Sequence, residues 1–213
     1  MTLCTVSRPD FSLENSIDGI VCGIDEVGRG PLAGPVIAAA VILPIDISND
    51  ILIRINDSKK ISKKKIFSIY SGLIDIANIG IGEASIDEID DLNIHHATLL
   101  AMRRASDALI KTLEHPPSLA LIDGKFTPKL DYNSQAIIKG DSRSLSIAAA
   151  SIIAKYHRDK IMKDLANIHP GYGWETNAGY GTAKHIKALD SLGITEHHRR
   201  SFSPVSQRII ASH

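Results

Sequence analysis

Only two cysteines occur among 213 residues, Cys4 and Cys22. They form neither a CxxC metal pair nor a disulfide framework, which excludes a thiol-built zinc module and a disulfide-stapled secreted scaffold. Cys22 falls in an apolar run and reads as a small core residue. Aromatic residues make up 5% of the chain and tryptophan occurs once, at Trp174, so there is no aromatic ladder for single-stranded nucleic acid. Neither sign of charge is in excess, with Lys+Arg and Asp+Glu at 24 each. A net charge of zero provides no global field for a polyanion, so any such site must be a local patch. No apolar run approaches the roughly 18 residues of a membrane helix, and no basic segment precedes an apolar one near the start. The expectation is a cytoplasmic protein without a membrane anchor. GxxxxGK[ST] is missing, which excludes a P-loop. No internal repeat is found.

What is present describes a folded domain. Hydrophobic residues are 44% and charged residues 23% of the chain, enough for one domain with a real core. Residues 1–17 are polar and read as a flexible arm, with a single domain over 18–213. Residues 19–25 and 36–43 (VIAAAVIL) read as strands, separated by a turn at Pro31, Gly34 and Pro35 and closed by Pro44. Residues 45–60 read as irregular. Ser62 is a candidate cap for a helix over about 63–76, with Ile66, Ile69, Tyr70, Leu73 and Ile74 at helical spacing. A third strand is expected at 79–84, a helix at about 94–113 ended by Pro116-Pro117, and further strands at 119–123 and 136–139. A long helix follows over about 144–166, then a Gly/Tyr-rich loop at 171–182, a helix at about 182–192 and a polar tail. The short first link permits an antiparallel pair. The expected fold is α/β: a mixed five-stranded sheet flanked by helices, with a helical C-terminal part from about residue 170.

The most informative stretch is Gly23-Ile24-Asp25-Glu26-Val27-Gly28-Arg29-Gly30-Pro31. Burying unpaired carboxylates is costly, so Asp25 and Glu26 at the end of a buried strand need a cation or water. Asp123 and Asp141 also end apolar strand runs and adjoin Gly124 and Gly140. Parallel strands share a carboxyl-terminal edge, where open α/β sheets build their sites. Four acids there suit hard divalent ions, Mg²⁺ or Mn²⁺ rather than zinc. Four also suggest two ions, about 3.5–4 Å apart, the arrangement used for in-line displacement at phosphorus. Adjacent strand residues face opposite ways, so Asp25 and Glu26 share a centre only where the strand ends or twists. The competing structural roles are a helix cap for Asp141 and turn chemistry for Asp123.

Residues Gly28 to Ala33 formally match GxGxxG/A after a strand, which opens a dinucleotide-binding alternative. That motif needs a helix at once, whereas Gly34-Pro35 and a β-type run follow here. The glycines better suit close backbone approach to a ligand. Lys59 and Lys60 precede a helix and are placed to turn toward the acid edge, or to be solvated. Ser151, Lys155, Arg158 and Asp159 share one helix face, either along a phosphate backbone or as a salt-bridged surface. The nine histidines show no HExxH or comparable metal spacing. Tyr172 and Tyr180, each between glycines, are candidates for stacking on a sugar or base, or for loop packing.

These stretches together resemble the ribonuclease HII (type 2 ribonuclease H) family. They are the Gly23–Pro35 run, Asp57-Ser58-Lys59-Lys60, Leu121-Ile122-Asp123-Gly124, Lys139-Gly140-Asp141, Ser146 to Lys155, Arg158-Asp159, Gly179-Tyr180-Gly181-Thr182 and His198-Arg199-Arg200-Ser201-Phe202. The resemblance implies an RNase H-like fold and an endoribonuclease that cleaves the RNA strand of RNA–DNA hybrids. Its substrates would include single ribonucleotides embedded in duplex DNA, in ribonucleotide excision repair. It implies two-metal-ion hydrolysis leaving 3′-hydroxyl and 5′-phosphate ends, with Mg²⁺ or Mn²⁺ held by Asp25, Glu26, Asp123 and Asp141 as catalytic acids. It further implies that Gly28, Arg29 and Gly30 contact the ribose 2′-OH, chiefly through backbone, and that Tyr180 packs on the sugar beyond the RNA–DNA junction. The 2′-OH is the mark by which a protein tells RNA from DNA at such a position. Lys59, Ser151, Lys155 and Arg158 complete the expected substrate contacts. The family commonly has proline where this chain has Gly181. No clear sliding-clamp peptide is seen, and the chain is expected to be a monomer. The rival readings are a DNA-directed nuclease, a nicotinamide oxidoreductase and a non-catalytic hybrid-binding module.

Overall fold

The computed structural model describes residues 8–56 and 63–211. Strands β1 (Val21–Val27), β2 (Val36–Ile42), β3 (Asn78–Ala84), β4 (Leu119–Asp123) and β5 (Ser134–Ile137) form one sheet in the order β3-β2-β1-β4-β5. Pairs β1–β2 and β2–β3 are antiparallel, whereas β1–β4 and β4–β5 are parallel. The carboxyl ends of β1, β4 and β5 therefore meet on one edge.

Alternation along the central strands decides how the sheet is covered. Cys22, Ile24, Ala38, Ala40 and Ile122 pack on Ala97, Ala101, Met102 and Leu109 of α3 (Ile86–Ile110). On the other face, Ile37, Ala39 and Val41 pack with α1 (Asn49–Asn56), α2 (Lys63–Ile74) and α4 (Leu145–Ile168). α4 approaches β1 closely because Gly23 has no side chain: a Cβ there would overlap the backbone at Ile147. Beyond α4, helices α5 (Trp174–Asn177), α6 (Ala183–Leu192) and α7 (Val205–Ala211) form a C-terminal layer. Its core joins Trp174, Leu189 and Val205 to Met162 of α4 and to Leu32 and Ala33 of the loop after β1.

The expected α/β architecture is present, and its departures have local causes. α1 lies in the stretch read as irregular, because eight residues hold it by burying Ile55. α3 starts before the expected position at a capping box in which Ser85 and Glu88 cap each other. It breaks at Asn93, where φ is 66°, and the Asn93 side chain caps the second segment by accepting from His95 N and His96 N. The expected start at 94 is that second cap. α5 falls inside the expected 171–182 loop, and α7 in the expected polar tail. Tyr172 is packing rather than a stacking surface: it is buried, stacks on Trp174 and donates to Gly193 O. Cys22 is a buried free cysteine, as expected. Before β1, Glu14 accepts from Ser144 Oγ at 2.7 Å and Ser146 N at 3.0 Å, which lays residues 10–17 along the start of α4. Among the described residues no helix is long and apolar enough to cross a membrane. Cys4, Asp57 to Lys60 and the Ser62 cap lie outside the described residues.

Candidate active site

Strand register brings two of the acids together. Ile24 pairs with Ile122 across parallel strands, so Asp25 and Asp123 follow side by side at the carboxyl edge. Asp141 lies in a 3-10 turn, Gly140–Ser142, between β5 and α4. Ser144, not Asp141, caps α4. Asp25 faces α4 and is 6% exposed. Its carboxylate accepts from Glu26 N at 2.7 Å and from the Ser151 hydroxyl. Glu26 turns to the other side and meets Arg29 Nη1 at 3.3 Å.

The acids repel one another in a poorly solvated place. Burial, then the charges of Glu26 and Asp123, push Asp25 well above the usual carboxylate range. Burial also raises Glu26, against the pull of Arg29, and Asp123 raises it further. Asp123 is raised by burial, held back by Gly140 N at 2.6 Å, and raised again by Asp141. All four therefore belong to one electrostatic cluster. Glu26 Oε2 is buried with no hydrogen-bond partner. An orphaned carboxylate oxygen among like charges fits a hard divalent ion, which would neutralise the cluster and fill the vacant acceptor. The donor oxygens are not drawn into one tight nest: among the described residues, the trio gathered within 4.8 Å is elsewhere, at His169, Glu196 and His197.

Beside the acids, residues 28–35 form a loop held from beneath by two buried arginines. Arg199 donates to the carbonyls of Gly28 (2.5 Å), Arg29 (3.0 Å) and Gly34 (2.7 Å). Arg158 donates to the carbonyls of Ala33 (3.0 Å), Pro35 (2.9 Å) and Ala178 (2.9 Å). In planar trans peptides the next N–H points opposite the carbonyl. With the Gly28 and Arg29 carbonyls on Arg199, the amides of Arg29 and Gly30 turn away from it. Gly28 has φ +99°, and a Cβ there would overlap the Arg158 side chain, so the position requires glycine. Tyr180 is 48% exposed and lies over Gly30, its Cε1 3.3 Å from where a Cβ would stand. Leu32 N donates to Gly179 O at 2.8 Å, tying the two loops together.

The residues of the expected helix stripe separate. Ser151 reaches Asp25. Lys155 pairs with Asp159 at 2.5 Å on the partly exposed side. Arg158 corrects the reading of it as a substrate contact: it is 1% exposed, and its donors go to backbone carbonyls because it faces the C-terminal layer. Lys59 lies outside the described residues. Arg199 was missed as a loop-holding residue, since backbone acceptors leave no mark in a charge pattern. The stretch from Gly28 leads into β2 without opening a helix, which removes the dinucleotide reading.

A mixed sheet flanked by helices, with mutually repelling acids on its parallel edge, has the architecture of the RNase H-like class, and that edge is suited to a divalent ion. The ribonuclease HII family profile matches residues 22–205. A ribonuclease HII of Paramagnetospirillum magneticum is 55% identical over 203 residues, covering 95% of this chain and 99% of that relative. Among solved structures, the ribonuclease H2 of Pyrococcus horikoshii OT3 superposes with a TM-score of 0.70 at 21% identity, over 88% of this chain and 96% of that one. Bst-RNase HIII in complex with Mn²⁺ also has a TM-score of 0.70, at 20% identity, over 91% of this chain and 70% of that one. The chain belongs to the ribonuclease HII family. Membership makes it a metal-dependent endoribonuclease of RNA–DNA hybrids.

Proposed function

We propose that this endoribonuclease also nicks duplex DNA at single embedded ribonucleotides, using two Mg²⁺ or Mn²⁺ ions held by Asp25, Glu26, Asp123 and Asp141. When bound, the ions lower the pKa of water and neutralise charge at the scissile phosphate, giving 3′-hydroxyl and 5′-phosphate ends. The reading rests above all on adjacency: the acid cluster touches the glycine loop through the Glu26–Arg29 contact. Ser151 fixes Asp25 by its hydrogen bond. The outward amides of Arg29 and Gly30 are suited to a ribose 2′-OH, a small group that a close backbone can recognise without side chains. The exposed Tyr180 ring beside Gly30 packs on the next sugar. Lys59 and Lys155 contact phosphates, adding salt-sensitive affinity. The Mn²⁺ carried by the solved RNase HIII supports the choice of ion. The enzyme acts as a cytoplasmic monomer, a single catalytic domain with its helical C-terminal part from about 170; residues 10–17, read from the sequence as a flexible arm outside it, instead pack on its core through Glu14, Phe11 and Leu13.

Tyr180→Ala tests the junction reading. Burying an aromatic ring against the sugar is worth about 1.5–3 kcal/mol, so the rate on a one-ribonucleotide duplex falls about tenfold or more, while a long hybrid loses less. Equal losses on the two substrates, measured side by side, remove the junction role.

A further inference from the structure

Far along the fold from the acids, His169 at the C-terminal end of α4 meets Glu196 and His197 in the segment after α6. The three donor atoms all lie within 4.8 Å of one another. Glu196 Oε1 stands 3.5 Å from His169 Nε2 and 3.6 Å from His197 Nε2. These separations are too long for good hydrogen bonds. His169 Nε2 is buried and has no hydrogen-bond partner. Zinc–ligand bonds of about 2.0–2.1 Å in a tetrahedron set neighbouring donors about 3.4 Å apart. The two Glu196 gaps match neighbouring ligands on one ion as well as they match loose ion pairs, and the third side, His169 to His197, closes within 4.8 Å.

We propose that His169, Glu196 and His197 form a second metal site, for Zn²⁺ or a similar borderline divalent ion, with water in the fourth position. Two imidazoles and one carboxylate favour such an ion, whereas the all-oxygen acid cluster favours Mg²⁺ or Mn²⁺. The site braces the molecule. It joins the end of α4 to the segment whose His197 carbonyl accepts from Gly34 N at 2.9 Å, next to Arg199, which holds the glycine loop. No sequence spacing announces it, because His169 lies 27 residues before the Glu196-His197 pair and meets it only in the fold.

The test uses the full untagged chain, stripped with a chelator and dialysed against Zn²⁺ with excess Mg²⁺ to occupy the acids. Metal analysis should find about one equivalent of Zn²⁺ retained, and Co²⁺ in its place should give the visible absorption of a four-coordinate site. Glu196 is 71% exposed, so Glu196→Gln spares the fold and should weaken retention about 100-fold, as should His197→Asn. Asp25→Asn should retain the ion. Absence of retained Zn²⁺, retention unchanged in Glu196→Gln and His197→Asn, or loss in Asp25→Asn would each overturn the proposal.

Discussion

Arg199 bonds to backbone carbonyls rather than to a carboxylate, and stays charged while buried. Burial, then the neighbouring Arg158, draws it down to about 9, still protonated at neutral pH. It thereby fixes a loop too rich in glycine to fix itself. His198 next to it behaves oppositely. Burial, then the charge of His185, holds its imidazole at about 4, so it is neutral at pH 7. It stands 3.1 Å from His185, which accepts from Trp174 Nε1. Between pH 6.5 and about 4 the unfolded His198 binds a proton that the folded one does not. Stability from this group is thus full above 6.5 and is lost as pH falls through that window, by about 3 kcal/mol in all. Urea unfolding from pH 7 to 4 should show a shallower slope in His198→Gln than in wild type; an unchanged slope contradicts this role. The four candidate acids stand out in the sequence because Asp25 and Glu26 close an apolar run, while Asp123 and Asp141 follow apolar stretches and adjoin Gly124 and Gly140. The placement of Arg158 was not, because a cation facing carbonyls and a cation facing solvent look alike in one dimension.

At the scale of elements, most strands and the long α4 could be read from apolar runs and proline breaks. The failures were at α1, α5 and α7, short helices whose stability comes from packing more than from local pattern. α3 is the instructive case. Ser85-Ile86-Asp87-Glu88 carries a capping box in plain view, yet the Asn93 cap inside the helix marks a second start. The helix packs across β3, β2 and β1, so its first turn matters to the molecule. Ser85→Ala should cost about 1 kcal/mol and lower the melting temperature by about 2–4 °C for a chain of this size. Calorimetry giving an unshifted transition would show that the first turn is held by packing alone.

Across the whole molecule, topology does what no segment can. The order β3-β2-β1-β4-β5 gathers Asp25, Glu26, Asp123 and Asp141 from three separate regions onto one edge. The C-terminal layer then brings Tyr180 over Gly30 and Arg199 beneath Gly28. With zero net charge, recognition has to come from this local assembly rather than from a general pull on polyanions. The most direct test sets a DNA duplex containing one ribonucleotide beside its all-DNA twin, each incubated with Mg²⁺, Mn²⁺ or EDTA and resolved on a denaturing gel. A single nick is expected at the ribonucleotide, only with a divalent ion, and a rate in Asp25→Asn lower by about a thousandfold or more, roughly 4 kcal/mol. Equal cutting of the all-DNA twin, or Asp25→Asn cutting at the wild-type rate, would contradict it.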